Sequence, residues 1–288
     1  MKLALGTVQF GLPYGVANTD GQVTEEAAKK ILHHAKEAGI NTLDTAFGYG
    51  NSEQCLGNAG VNDWRIITKL PALPEECSDV SDWVNEQFKI SLSRLGVNHV
   101  TGLMLHRPMQ LLESKGQDLW LTIQTLKNKG LVEKIGYSIY APEELSELWD
   151  RFQPDIIQSP YNIVDQRLKT SGWLDKLHKV GVEVHIRSIF LQGLLLLDYD
   201  KRPDRFRQWN KIWRQWDNWL SDNQITALQA CVNFALSESK ISRVIVGVDN
   251  IEQLSEILRA MDMKLYYFPN YLSVTDLDLI NPSNWSMQ

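Results

Sequence analysis

Four side chains of unlike type, Asp44, Tyr49, Lys69 and His106, carry the chemistry most readily read from this chain. A carboxylate and an ammonium are tolerated in a protein interior only as a pair, so Asp44 and Lys69 at the ends of neighbouring strands suggest an ion pair. Tyr49, five residues past Asp44, brings a phenol within reach of the same point. A cation beside a phenol stabilises the phenolate and lowers its pKa, which suits the phenol to proton transfer near neutral pH. His106 adds a hydrogen-bond donor for a substrate oxygen. Singly, a strand-end Asp or Lys is often a structural ion pair, and a lone His is more often a satisfied polar residue than a catalyst. On adjacent strand ends the four together point to proton transfer at a polarised oxygen.

A series of short apolar strands must position them. Runs at residues 3–5, 41–44, 65–69, 100–106, 134–138, 156–158, 182–187 and 243–246 each precede a segment of helical period. The helices are expected near 24–38, 52–58, 81–95, 117–129, 142–151, 171–180, 224–237 and 250–261, several of them closed by Gly39, Gly96, Gly130 or Gly181. Repeated strand-helix alternation predicts the α/β class and a (β/α)8 TIM barrel. The doubly wound alternative needs a Gly-rich phosphate turn after the first strand, and Gly6-Thr7-Val8-Gln9-Phe10-Gly11 lacks the spacing. With no Pro-, Gly- or Ser-rich linker, residues 1–288 read as a single domain.

Two regions fall outside the repeat. Residues 202–220 predict an extra helix before the seventh, with Trp209, Trp213 and Trp216 on one face. That face either packs on the barrel or forms a wall over its mouth. The tail, 265–288, carries Tyr266, Tyr267, Phe268, Tyr271 and Trp285 and is expected to cover the barrel in the same way. Barrel active sites lie at the C-terminal strand ends, which here are polar: Asp44, Lys69, His106, Ser138, Gln158 and Arg187-Ser188.

Composition narrows the function classes. A chain that is 43% hydrophobic and 22% charged can bury a large core. Its net charge of −6 provides no field for a nucleic acid or an anionic membrane. Three cysteines far apart suit neither a disulfide framework nor a paired-cysteine metal site, and no apolar run of about 18 residues occurs. These features read as a cytoplasmic protein with no membrane anchor and no nucleic-acid partner. The oligomeric state has no sequence signature.

Residues 44–53, Asp-Thr-Ala-Phe-Gly-Tyr-Gly-Asn-Ser-Glu, resemble the DTAxxYGxSE signature of the aldo-keto reductases. Thr68-Lys69 and Leu103-Met104-Leu105-His106-Arg107-Pro108 resemble that family's later signatures at fitting spacing. Residues 135–138 resemble its IGVSN strand with Ile139 in place of Asn; 158–162 resemble QxxYN; 188–195 resemble SPLxxGLL; and 244–256 resemble IPGxxxxEQLxE. The resemblance implies a nicotinamide-dependent carbonyl reductase, with NADP(H) favoured and NAD(H) possible, acting on a carbonyl or sugar substrate without a metal. It implies that Tyr49 protonates the carbonyl oxygen, that Asp44 and Lys69 tune Tyr49, and that His106 orients the carbonyl. For the cofactor it implies Ser138 and Gln158 at the carboxamide, and Gly6, Thr7 and Val8 beside the ring or the substrate. Ser188, Leu191 and Gly193 would lie along the pyrophosphate, and Gly247, Gln253 and Glu256 near the adenosine.

Three departures from the pattern bear on specificity. Arg187 stands where many relatives place an aromatic against the nicotinamide; a guanidinium either stacks there or binds an anionic substrate. Val248 and Gln253 stand where some relatives place Ser and Arg on a 2′-phosphate, and Asp249 adds negative charge. Ile257 replaces a common Asn near the adenine. Two other function classes compete with the reductase: a nicotinamide-binding regulatory subunit with little turnover, and a barrel hydrolase or isomerase using Asp44 and Glu53. Loops 12–22, 71–80 and 202–220 are expected to define the substrate.

Overall fold

In the computed structural model, which describes residues 1–263 and 267–285, eight parallel strands close into one barrel in sequence order. They are β1 (Leu3–Gly6), β2 (Thr42–Asp44), β3 (Arg65–Leu70), β4 (Val100–Leu105), β5 (Val132–Ser138), β6 (Ile156–Pro160), β7 (Glu183–Arg187) and β8 (Arg243–Gly247). Strands covered on both faces bury nearly every residue, which explains why they read as continuous apolar runs rather than alternations. The register aligns Gly6 with both Asp44 and Gly247, Lys69 with Met104, Ser138 with Gln158, and Pro160 with Arg187. The polar strand ends therefore share one face of the barrel.

The strands alternate with α1 (Glu25–Glu37), α2 (Ser52–Ala59), α3 (Val80–Leu95), α4 (Gly116–Asn128), α5 (Pro142–Leu148), α6 (Arg167–Thr170), α7 (Trp173–Lys179), α8 (Asn210–Asp222), α9 (Ala227–Ser237) and α10 (Ile251–Ala260), with α11 (Leu277–Ile280) in the tail. Local chemistry sets the ends. Thr24 Oγ1 caps α1 by accepting from Ala27 N, Asp79 caps α3, and Gly96 closes α3 in the left-handed conformation. Three helices are shorter than their periodicity predicts. The helix expected from residue 142 to 151 stops at Leu148; that from 171 to 180 is confined to α7; and that from 224 starts at Ala227. In the last case Gln224 adopts a positive φ of 54°, and Thr226 forms a capping box with Gln229 that fixes the true start.

The extra helix is α8, preceded by a 3-10 segment (Asp204–Trp209). Its aromatic face packs inward: Trp213, Trp216 and Trp219 are buried, Trp213 Nε1 donates to Phe206 O at 2.8 Å, and Trp216 Nε1 donates to Leu195 O at 3.1 Å. Arg202 grips Asp217 through both Nη atoms at 2.7 and 2.9 Å and lies over the Trp213 ring. This face packs on the barrel, and Trp216, with Asp217 and Leu220, also lines the cleft at its mouth.

Leu265, Tyr266 and residues 286–288 of the tail lie outside the described residues. The rest returns over the C-terminal side of the barrel: Val274 N donates to Val164 O, Phe268 meets Phe234 edge-on at 5.2 Å, and Trp285 meets Phe206 at 4.9 Å. Cys55, Cys77 and Cys231 are free thiols. No helix among the described residues is long and apolar enough to cross a membrane.

Candidate active site

A cleft of about 880 Å³ opens at the C-terminal strand ends. One end holds Asp44, Tyr49, His106, Tyr140 and Arg187, and the other holds Asn18, Asp249, Gln253, Glu256 and Ile257. The loop after β7 runs between them.

At the first end, Lys69 and Asp44 form the expected pair. The Lys69 side chain is 0% exposed and that of Asp44 5%. Lys69 Nζ donates to both Asp44 carboxylate oxygens, at 2.8 and 2.9 Å, and to Thr45 O at 2.9 Å. It stands 3.5 Å from Tyr49 Oη. Two glycines hold the Tyr49 turn against the loop after β1. A Cβ on Gly11 would lie 1.8 Å from Tyr49 O, and one on Gly50, whose φ is +56°, would lie 2.3 Å from Gly11 O. Ser52 Oγ completes the clamp by donating to Thr7 O at 2.8 Å. His106 packs edge-on to Tyr49 with ring centroids 5.8 Å apart.

The expectation of a depressed Tyr49 pKa is overturned. Burial pushes the phenol well above its ordinary range, the Asp44 carboxylate pushes the same way, and Arg187 opposes them. Lys69 offers the phenol little relief, because its charge is bound to Asp44 at two points. Burial, with Lys69 and Arg187 nearby, pushes His106 down to about 4, so the imidazole is neutral at neutral pH.

The proposed cofactor residues divide into two groups. Gly6, Thr7, Val8, Arg187, Ser188, Gly193, Gly247, Gln253 and Glu256 line the cleft. Ser138 and Gln158 lie buried behind it: Gln158 Nε2 donates to Asp44 Oδ1 at 2.6 Å, and Ser138 Oγ sits 3.4 Å from Gln158 Oε1. Gln158 thus anchors the ion pair, a role its strand-end position alone did not reveal. Leu191 is a correction, because its side chain is fully buried in the apolar core and only the backbone serves the loop. In that loop Ser188, Leu191, Gln192 and Gly193 all adopt positive φ. Its turns close on themselves: Leu191 N donates to Ser188 O at 2.9 Å, Gly193 N to Phe190 O at 3.0 Å and Leu194 N to Leu191 O at 3.1 Å.

The far end is built by residues distant in sequence. Asn18 Nδ2 donates to Asp249 Oδ1 at 3.1 Å, Gln253 Nε2 to Asp249 Oδ2 at 3.3 Å, and Asp249 N to Gln253 Oε1 at 2.8 Å. Gly247 passes so close to Gln9 that a Cβ would meet its amide at 2.4 Å, and Gln9 Oε1 is buried without a partner. An orphaned acceptor at the cleft wall and a glycine-lined approach fit an elongated ligand that offers hydrogen-bond donors.

Sequence reasoning missed Gln9, Asn18 and Tyr140. Tyr140 lies two residues past the β5 end, so a wider window at each strand end finds it. Loop 71–80 does not line the cleft. Gln110 ties it instead to the segment after β4, donating to Leu73 O and accepting from Leu73 N, both at 2.8 Å. Glu53 is absent from the cleft too; it accepts from Thr68 Oγ1 at 2.7 Å and faces Arg94 at 3.7 Å. A hydrolase or isomerase pairing Asp44 with Glu53 loses its second carboxylate.

The sequence model of the Aldo/keto reductase family matches residues 2–266. The chain is 24% identical over 257 residues to an uncharacterized oxidoreductase, YqkF, of Bacillus subtilis, covering 82% of this chain and 83% of that one. It is 28% identical over 204 residues to an aldo-keto reductase of Mycolicibacterium smegmatis, covering 66% of each. Among solved structures, it superposes on the holo form of aldo-keto reductase AKR11C1 from Bacillus halodurans with TM-score 0.71, at 22% identity over 92% of this chain and 88% of that one. The glycerol dehydrogenase AKR11B4 from Gluconobacter oxydans gives 0.70 at 20% identity with the same coverage.

Proposed function

The chain belongs to the aldo/keto reductase family, and on that premise we propose that it reduces an aldehyde or ketone to an alcohol, or runs the reverse oxidation, with a nicotinamide cofactor. The observation that carries this reading is the Tyr49 hydroxyl 3.5 Å from a fully buried Lys69 ammonium in a cleft it shares with His106. When bound, the reduced cofactor supplies a hydride to the carbonyl carbon. Everything else falls to the chain's own groups.

Tyr49 enters neutral, because burial holds its proton at working pH, and donates it to the carbonyl oxygen. The phenolate left behind is stabilised by Lys69 Nζ, which the Asp44 carboxylate and Thr45 O keep aimed at it. His106, neutral, orients the carbonyl oxygen by hydrogen bonding without competing as an acid. Asp44 is held in turn by Gln158. Ser188 and the loop after it would hold a pyrophosphate, and Gly247, Gln253 and Glu256 would flank the adenosine. The family resemblance favours NADP(H). Asp249 and Glu256 at that end weaken the preference and admit NAD(H).

The test is titration of NADPH and NADH into wild type and Tyr49→Phe by tryptophan fluorescence, with absorbance assays over a panel of aldehydes, ketones and sugars. Tyr49→Phe is expected to bind cofactor within about twofold of wild type while turnover falls about 10²- to 10⁴-fold, the range a positioned acid contributes. Near wild-type turnover in Tyr49→Phe rejects it as the acid. Cofactor binding with no turnover on any carbonyl favours the regulatory subunit.

A further inference from the structure

Arg187 is the feature of the cleft that the carbonyl reaction does not use. It ends β7 half-buried, and its contacts are to neutral groups: Nη2 donates to Ile139 O at 3.0 Å, Nη1 lies 3.4 Å from Ser188 Oγ, and the guanidinium rests 4.9 Å over the Tyr140 ring. Arg202 and Arg167, by contrast, each grip a carboxylate through two nitrogens. Among the described residues no carboxylate pairs with Arg187. Glu144, whose charge reaches it, spends Oε1 on the N–H groups of Tyr140 and Ala141, at 2.6 and 2.8 Å.

Of the groups that face this end of the cleft, Arg187 alone keeps an uncancelled charge. Asp44 and Lys69 cancel, His106 is neutral, and Arg187 remains. Its field is felt by Tyr49 and His106, so it acts at the reaction centre and not only along the loop. A half-buried cation without a counter-ion is costly unless a ligand supplies one. The bond to Ile139 O and the Tyr140 face fix the guanidinium, so little side-chain entropy is lost when an anion docks.

Resting on the reading of the chain as a carbonyl reductase, we propose that its substrate class is a carbonyl compound bearing an anionic group, carboxylate or phosphate, which Arg187 receives while Tyr49 and His106 engage the carbonyl oxygen. Arg187 is then a specificity-determining residue. Tyr14 and Tyr140, which line the same end, supply apolar walls for the carbon chain between the two groups.

The test compares matched probes that differ in charge: 4-carboxybenzaldehyde against its methyl ester, and glyceraldehyde 3-phosphate against glyceraldehyde. Wild type is expected to favour the anionic member of at least one pair by about 10- to 100-fold in kcat/KM, the range for a hydrogen bond to a charged group. Whichever pair shows the larger ratio identifies the anion. Arg187→Met should bring that ratio near one, because the anionic probe loses more than the neutral one, while Arg187→Lys keeps part of the preference. Equal use of charged and neutral probes by wild type overturns the proposal. So does an Arg187→Met that lowers both members alike while weakening cofactor, since Arg187 then serves the nicotinamide. Benzoate and inorganic phosphate titrated calorimetrically into the cofactor-loaded protein separate the two readings. Arg187-dependent anion binding without turnover of any aldehyde sinks the reductase and keeps the anion site, whereas turnover without charge preference does the reverse.

Discussion

Replacing Lys69 by Met removes an ammonium and keeps the length of the side chain, so it isolates what the buried charge does. In the folded protein Lys69 Nζ makes three contacts of 2.8–2.9 Å, two of them to an Asp44 carboxylate that is itself 5% exposed. After Lys69→Met, Asp44 keeps only the 2.6 Å bond from Gln158 among its side-chain partners and is a buried charge without a counter-ion. Breaking such a pair from one side costs about 3–5 kcal/mol. Set against a total stability of about 5–15 kcal/mol, that is a large share. At about 2–4 °C per kcal/mol for a chain approaching this size, the midpoint falls by about 6–20 °C. Removing both charges in Asp44→Asn/Lys69→Met relieves the orphan and leaves Gln158 an acceptor, so at least about 2 kcal/mol should return relative to Lys69→Met. Activity should not return, because the group beside Tyr49 Oη is gone in both. Urea unfolding followed by fluorescence of the ten tryptophans and by far-UV circular dichroism measures this, and coincident transitions establish two-state behaviour. A single substitution costing under about 1 kcal/mol, or a double variant no more stable than Lys69→Met, would refute the buried-pair account.

Two further outcomes follow from charge. His106 titrates near 4 in the folded chain against 6.5 ordinarily, so between those values the unfolded state holds the extra proton; stability is lost as pH falls through that window, by at most about 1.4 kcal/mol per unit, and His106→Asn should flatten this part of a urea-midpoint profile. An unchanged slope counts against a neutral, desolvated imidazole. Asp249→Arg replaces a cleft-lining carboxylate by a guanidinium and, if the adenosine sits there as proposed, should tighten NADPH relative to NADH by about tenfold or more, read by fluorescence titration. A constant ratio of dissociation constants places the 2′-phosphate elsewhere.

The barrel was legible because each strand is a short apolar run, six of them with a polar residue at the end, and because the fold sends those ends to one face. Asp44, Lys69 and His106 could therefore be grouped before any contact was known. Helix limits were less legible wherever a turn decided them, as at Gln224 and Thr226, since a positive φ and a capping box leave only a faint trace in hydrophobic period. Trp219, buried beside Trp216, extends the aromatic face one turn past the three tryptophans that spacing picked out. The Asn18–Asp249 contact spans 231 residues and has no local signature.

Charge state was the least legible property, for a definite reason. Residue types show that Lys69 lies near Tyr49, but the pKa of the phenol depends on what else holds the ammonium and on how much water remains. Lys69 is bound to Asp44 at two points and the phenol is desolvated, so Tyr49 holds its proton, and in the proposed reaction it would release it only to a developing alkoxide. The same logic separates Arg187 from Arg202. Both line the cleft, yet Asp217 neutralises one and nothing among the described residues neutralises the other. A count of basic residues would rank them equal, whereas the partners leave only Arg187 available to an anionic ligand.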